Sequence, residues 1–534
     1  MNLLLLLGAL VLTACLIGSK LSHLLRIPTL FFFIALGMLF GSDGLLKIEF
    51  SDYALSEQLC SAALIFIMFY GGFGTKWNTA RPVAVKSVLL STFGVLITAG
   101  LTGLFCYFFL GFDLMEGMLI GAVLGSTDAA SVFSILRSQK LNLKYGTAPM
   151  LEIESGSNDP CAYTLTIILL SAMGGSVSVS QIAYVIFSQI VYGIIAGVAI
   201  ALLAGWAFRN FLFEVDGFDS IFLVAVALAS YAIPSLLGGN GYLSAYIAGI
   251  LLGNQDLPRK KNMANFFDAF NGMMQMFIFF LLGLLVFPSQ LPLVLLPSIA
   301  IALFLTLVAR PASIAALLTP FRAPLKQQLV VSWAGLRGAA SIVFSIVAAV
   351  SPSYGQEYIF HIVFCVVLLS ILFQGTLLPL VAQKADMIDA RENVLKTFNT
   401  YSEETSIHFI QVEIHGNHPW KNQLIKDVQT IPGTLIAAII RDKKAVLPKG
   451  NTCLLEGDTL IIGAKEYSDN DSVELIERKV DSFDPRIGRP LREIDIKKNA
   501  LVVLIQRDGS EFIPDGDTVL CEGDNLILYS HISS

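Results

Sequence analysis

Three carboxylates lie inside apolar stretches of the 534-residue chain: Asp128 in one, Glu154 and Asp159 in the next. All fall within residues 121–160, GAVLGSTDAASVFSILRSQKLNLKYGTAPMLEIESGSNDP. A charge at the centre of a bilayer costs at least about 3 kcal/mol on insertion scales. Groups that persist there are normally paired, or they line an ion or proton path. Part of an ion or proton path is the chemistry this pattern offers. A loop carboxylate at a helix end, or a soluble core of apolar helices, does not suit flanking runs this long and this apolar.

Spacing sorts these groups by face. Glu154 and Asn158 are four residues apart and share one helix face. Ser155 and Asp159 share the neighbouring face. One face suits a charge pair, the other a cation path. Asp128, Asp159 and Arg337 each fall near the middle of a separate span, so three ionisable groups reach similar depth. Two of those spans carry glycine-rich interruptions at their centres. These are Gly125-Ser126-Thr127-Asp128 and Gly335-Leu336-Arg337-Gly338, one in each half of the apolar region. Interrupted helices in corresponding halves point to a transporter site built from inverted repeats. Broken backbone at mid-depth survives only where it lines a cavity or is buried in protein. Asp128 and Arg337 are placed to compensate the half-helix dipoles.

The elements that position these groups are membrane helices. Hydrophobic residues make up 55% of the chain and charged residues 14%, against about 25% charged in soluble proteins. A bilayer needs about 20 apolar residues. Thirteen spans are predicted, near 2–20, 28–42, 54–73, 87–110, 115–137, 147–172, 181–208, 218–235, 240–254, 264–287, 291–319, 327–350 and 357–382. The first lacks a basic leading region and reads as a helix rather than a signal peptide. With residue 1 outside, fifteen Lys and Arg fall in the inside loops and only Lys47 outside. The positive-inside rule therefore puts the N-terminus outside and the C-terminal tail in the cytoplasm.

From about residue 390 the composition is that of a soluble domain. The tail repeats itself at an offset of 66 residues: 435–463 aligns with 501–529. Arg441-Asp442 matches Arg507-Asp508, and Glu456-Gly457-Asp458 matches Glu522-Gly523-Asp524. Each copy reads as strand, turn, short strand, turn, strand. A short helix is expected before the strands, near 420–428 and 490–497. The domains are thus 1–390 in the membrane, with small α+β modules at 400–466 and 480–534, joined by a linker near 465–482. The seven cysteines show neither metal spacing nor a disulfide framework. Asp268 and Arg310 read as anchor or packing charges near helix ends, His361 as a satisfied polar contact. His408, His415 and His418 read as surface strand and turn residues rather than metal ligands. Nothing in the charge pattern points to nucleic acid.

Ser126-Thr127-Asp128, Glu154 through Pro160, and Gly335 through Gly338 together resemble the NhaP branch of the monovalent cation/proton antiporters. The resemblance covers nearly all of residues 1–385. It implies an NhaA/NhaP-like fold of thirteen helices, two of them broken, with a six-helix core domain and a dimerisation domain. It further implies a homodimer in the cell membrane, alternating access, and exchange of K⁺ or Na⁺ for H⁺. By the same resemblance, Asp159 binds cation and proton in turn, Thr127 and Ser155 help hold the cation, and Asp128 and Asn158 shape the site. Glu154 and Arg337 match a buried ion pair, and Asn158 in place of a second aspartate implies electroneutral exchange. One departure concerns Phe69-Tyr70-Gly71-Gly72, with tyrosine where relatives often carry an acid. The tail resembles tandem RCK C-terminal (TrkA-C) domains, which are usual on potassium systems. This favours potassium and implies a nucleotide regulator, with cyclic di-AMP the leading candidate.

Three other functions fit the sequence less well. A channel gated by the tail lacks a T-V-G-Y-G filter. A sodium-coupled symporter would need a second solute. An enzyme would need a nucleophile, metal or nucleotide pattern, and no G-x-G-x-x-G is present.

Overall fold

The computed structural model of the chain describes residues 2–25, 28–138, 141–175, 178–210 and 217–389. In the tail it describes 407–416, 418–428, 434–441, 444–465, 473–480, 484, 486–494, 500–507, 510–512, 514 and 516–531. Residues 1–402 and 403–534 form two compact units.

The first unit is helical. Each of the thirteen predicted spans is met by a helix or a pair of helices. Seven described helices are long and apolar enough to cross a membrane, and shorter apolar helices fill out the set. Two spans are broken at their glycine-rich centres. The first runs Leu114–Val123 and resumes at Ala129–Ser138; the second runs Leu325–Trp333 and resumes at Ala339–Val350. Between them in sequence, helix Thr147–Met173 carries Glu154 and Asp159 without interruption, with Pro160 inside it. That proline has no N–H to give the carbonyl four residues back, on Gly156.

Two apolar cores organise this unit. One draws on residues 80–153, 314–336 and 378–387, including Leu90, Phe133, Met150, Ile314 and Val331. It therefore joins the spans around the first break to those around the second. The larger core holds most other buried residues, among them Phe69, Tyr242 and Phe279. Within it, helices Tyr53–Gly74 and Gly241–Gly253 touch backbone to backbone. A Cβ on Gly72 would lie 2.2 Å from the Tyr246 carbonyl oxygen, and one on Gly249 2.2 Å from that of Phe69. Small residues permit such approach where no hydrophobic effect drives helices together.

The tail holds two four-stranded antiparallel sheets. The first comprises β1 (Ile407–Glu413), β2 (Leu435–Arg441), β3 (Lys444–Val446) and β4 (Thr459–Lys465), in the order β1-β4-β2-β3. The second comprises β5 (Val473–Lys479), β6 (Ala500–Arg507), β7 (Ser510–Phe512) and β8 (Asn525–His531), in the order β5-β8-β6-β7. The repeat therefore begins one strand earlier than the predicted copies, because β1 and β5 pair with the last strand of their modules. The expected short helices are single 3₁₀ turns, Ile425–Asp427 and Leu491–Glu493. Residues 495–497, and residues 466–472 and 481–482 of the linker predicted near 465–482, lie outside the described residues, while β5 occupies 473–479 of that predicted linker.

The shared Arg and Asp of the repeat form a structural fork. Arg441 Nε and Nη2 donate to the two carboxylate oxygens of Asp458, each at 2.7 Å, and Nη2 also donates to the Cys453 carbonyl. Arg507 repeats this on Asp524 and Val519. Each aspartate also accepts a backbone N–H, from Leu455 and Cys521 respectively. The adjoining Gly457 and Gly523 both adopt φ +86°, which favours glycine.

Candidate functional site

The two broken helices meet at their breaks. Asp128 N–H donates to the Leu336 carbonyl at 2.8 Å. A Cβ on Gly338 would lie 2.4 Å from the Asp128 Cβ, so glycine is what lets the backbones approach. The Asp128 carboxylate accepts from Ser131 N–H at 3.1 Å and from the Ser131 hydroxyl. It thereby caps the half-helix Ala129–Ser138, where a negative charge is favoured. Arg337 serves the opposite end. Its Nη1 donates to the carbonyls of Leu124 and Ser126, just past the half-helix Leu114–Val123. Helix C-termini leave such carbonyls without an intrahelical donor and favour a cation.

Helix Thr147–Met173 lays its residues against the first break. The Ser126 hydroxyl donates to Asp159 Oδ1. Ser155 Oγ donates to the Thr127 carbonyl at 2.7 Å and accepts from Ala129 N–H at 2.9 Å. Asn158 Nδ2 donates to Thr127 Oγ1 at 2.5 Å, and its Oδ1 is buried without a hydrogen-bond partner. Asp159 is 4% exposed. A cavity of about 640 Å³ reaches it, lined here by Ser126, Thr127, Asp128, Ser155 and Asp159. Glu154, Asn158 and Arg337 are buried outside that lining. The face with Ser155 and Asp159 therefore meets the cavity, while the face with Glu154 and Asn158 packs into protein. Chemically, the wetted face offers carboxylate, hydroxyl and carbonyl oxygens, which suit a hard cation and a proton alike.

The ion pair differs from the expected one. Glu154 Oε1 meets Arg310 Nη2 at 2.5 Å, not Arg337. Arg337 instead aims its Nη1 at the carbonyls of the first break, with Nε and Nη2 buried without a hydrogen-bond partner. Arg310 arrives from the helical span 291–318 just after a π turn at Leu305–Ala309, which shifts the register of the helix beyond it. Gly335 makes room for it, since a Cβ there would lie 2.7 Å from Arg310 Nε. Arg310 is thus the partner of Glu154 rather than an anchor near a helix end. An arginine well inside a span otherwise free of charge was the available signal.

Asp268 also departs from its expected role. It lines the cavity, and the Tyr70 hydroxyl donates to its Oδ1 at 2.7 Å. Tyr246, which no sequence motif marks, lines the same cavity and packs its ring over Gly156. Its signal was faint, a tyrosine in a short span beside a packing glycine. Among the described residues, no group of three or more His, Cys, Asp or Glu is arranged to hold a metal ion.

Helices broken at mid-span, meeting at their breaks beside a buried carboxylate, define the class of secondary membrane carriers. Residues 10–384 match the family described as sodium/hydrogen exchanger, transmembrane, and the chain belongs to that family. Residues 409–466 and 475–534 each match the TrkA-C domain. The chain is 33% identical over 479 residues to the K(+)/H(+) antiporter NhaP2 of Shewanella sp. (strain MR-4), covering 87% of this chain and 81% of that protein. It is 31% identical over 458 residues to the K(+)/H(+) antiporter NhaP of Alkalimonas amylolytica, covering 84% and 79%. The fold resembles the solved sodium proton antiporter MjNhaP1 from Methanocaldococcus jannaschii at pH 8, with a TM-score of 0.63 and 23% identity. That match covers 72% of this chain and 99% of the other.

Proposed function

We propose that this protein exchanges K⁺ for H⁺ across the cell membrane by alternating access. Asp159 binds the two in turn, so that each displaces the other. Thr127, Ser155 and Ser126 supply neutral oxygens around it, and Asp128 and Asn158 shape the site, Asp128 by capping the half-helix after the break and Asn158 by donating to the Thr127 hydroxyl. Asn158, standing beside Asp159 where a second aspartate would add a charge, makes the exchange one cation for one proton. The carrying observation is the buried Asp159 carboxylate, which lines the cavity and accepts from the Ser126 hydroxyl.

Potassium is favoured by the names of the two antiporter relatives described above and by the two TrkA-C domains. The protein works as a homodimer, and the Lys and Arg distribution supports an N-terminus outside and a tail in the cytoplasm. The tail regulates exchange by binding a nucleotide such as cyclic di-AMP better in one conformation than in another. A route for that influence lies in the segment leading to the tail. Asp386 receives Lys144 Nζ at 3.0 Å and Lys326 Nζ at 3.3 Å, and Lys144 N–H donates to the Met387 carbonyl. Lys144 belongs to the loop between the first broken helix and the Asp159 helix.

Proteoliposomes carrying a pH dye test the reading. K⁺ added outside should drive proton movement, and more strongly than Na⁺. A Na⁺ response with none to K⁺ would make the protein a sodium/proton antiporter of the same fold. Flux that requires a third solute would overturn exchange altogether.

A further inference from the structure

The cavity opens on one side of Asp159 only. On helix Thr147–Met173 its lining runs through Glu152, Ser155 and Gly156 to Asp159, and on helix Gly241–Gly253 it takes Tyr246. Among the described residues of those two helices, none after Asp159 and none before Tyr246 joins it. The open end lies on the face of Lys144 and Asp386, which the positive-inside rule places in the cytoplasm.

On the other side of Asp159 the two helices are closed against each other. The Tyr242 ring meets the Tyr163 ring edge-on at 5.1 Å between centroids, and both lie against Phe344. Asn240, 1% exposed, reaches across to the Asp159 helix itself. Its Nδ2 donates to the Pro160 carbonyl at 2.9 Å and to Thr164 Oγ1 at 3.0 Å. Pro160 is the residue that follows Asp159. The Asn240 Oδ1 accepts from Leu243 N–H at 2.9 Å, so the same side chain caps its own helix.

The neighbours of helix Gly241–Gly253 are held in two different ways. Against helix Val179–Asn210 the contact is backbone to backbone: a Cβ on Gly197 would lie 2.7 Å from the Ser244 carbonyl oxygen, and one on Gly193 2.9 Å from that of Asn240. Asn240 N–H also donates to the Gln189 carbonyl at 3.1 Å. Gly72 and Gly249 make a like approach to helix Tyr53–Gly74. Towards the Asp159 helix, Asn240, Tyr242 and Tyr246 reach across with their side chains. A seam of side chains can part while each helix keeps its own backbone hydrogen bonds, whereas the glycine contacts hold the other three helices as one body.

We propose that Asn240 is the latch of the closed outer side. Its two donors hold Pro160 and Thr164 while the cavity faces the cytoplasm, and release them when Asp159 turns outward. Asn240 is a positioning residue: it sets how the protein divides between its two facing states and does not touch the ion. This assignment rests on the exchanger reading above, its orientation included. A neutral hydrogen bond is modest in net worth, so two of them can bias a carrier without locking it in one state.

The test is exchange by the full-length protein in membrane vesicles of both orientations, with K⁺ titrated from each face. Asn240→Ser keeps an oxygen that caps the helix and is too short to reach Pro160. Losing the latch should favour the outward-facing state, so that the KM for K⁺ falls on the outer face and rises on the inner one. The ratio of the two should change about five-fold. Thr164→Val removes one of the two acceptors and should move the ratio the same way by about two-fold. If Asn240→Ser does not fold, Thr164→Val decides alone. An unchanged ratio would overturn the latch. So would equal KM shifts on both faces, or a loss of thermal stability and rate with both KM values unchanged, since Asn240 would then only cap and pack. Failure of the exchanger reading is seen separately, as absence of K⁺-driven proton flux in wild-type vesicles of either orientation.

Discussion

Glu154 and Arg310 form an ion pair of 2.5 Å whose side chains are 1% and 4% exposed. They come from helices that flank the two breaks on either side, so the pair ties the Asp159 helix to the region of the second break. Removing one partner of a buried pair strands the other charge, at about 3–5 kcal/mol. Glu154→Gln and Arg310→Ala should each lower thermal stability in detergent by an amount of that order. A double-mutant cycle should show coupling between 154 and 310 larger than that between 154 and 337. Coupling to 337 alone would mean that the pairing is wrong.

Asp159→Asn should abolish K⁺-driven and Na⁺-driven proton flux in a protein that still folds. An amide of the same shape can neither release a proton nor neutralise a cation. Substantial flux in this variant would remove Asp159 from the exchange. Ser126→Ala should keep some flux with weaker cation binding, because it removes one oxygen beside Asp159 and leaves the carboxylate.

Gly338→Ala should damage both exchange and stability. The new Cβ would lie 2.4 Å from the Asp128 Cβ, in contact with the backbone junction of the two breaks. Overpacking of this kind costs about 1–3 kcal/mol. Wild-type stability and turnover in this variant would mean that the breaks do not touch as described.

The tail's Asp–Arg forks predict a pH dependence. The Arg441 guanidinium hydrogen-bonded to Asp458 holds that carboxyl below the usual carboxylate range. A depressed folded value means that the unfolded chain binds the proton first as pH falls. This contribution to stability is therefore complete above the unfolded value of about 3.9 and is lost on acidification below it. The isolated tail should melt at a nearly constant temperature near neutrality and lower as pH falls below about 4. Asp458→Asn should be less stable at neutral pH and should lose part of that acid dependence.

Ending the chain near residue 392 should leave exchange intact with an altered pH or cation dependence, and should remove nucleotide binding. Calorimetry on the isolated tail with cyclic di-AMP, ATP and NAD(H) identifies the ligand. No binding by any of them, together with an unchanged truncated exchanger, would reduce the tail to a stabilising role.

Features that depend on local pattern are legible in the order of residues alone. Apolar runs predicted thirteen spans, each met by a helix or a pair of helices, and seven of the described helices have the length and composition that a bilayer demands. Glycines beside Asp128 and Arg337 marked both breaks, and the spacing of Ser155 and Asp159 assigned them to one helix face. The 66-residue repeat announced two like modules, since a duplicated sequence folds twice. Features that depend on which elements come together needed three dimensions. Arg337 and Arg310 are both buried arginines, and nothing local says which one meets Glu154. That choice was made by the carbonyls left open at the first break, the π turn before Arg310, and the space over Gly335. Asp268 looked like a charge near a helix end until Tyr70, 198 residues away, was placed against it in the cavity wall. Strands β1 and β5 escaped the repeat for the same reason. They are held by pairing with the last strand of each module, and such pairing carries no signal within seven residues of sequence.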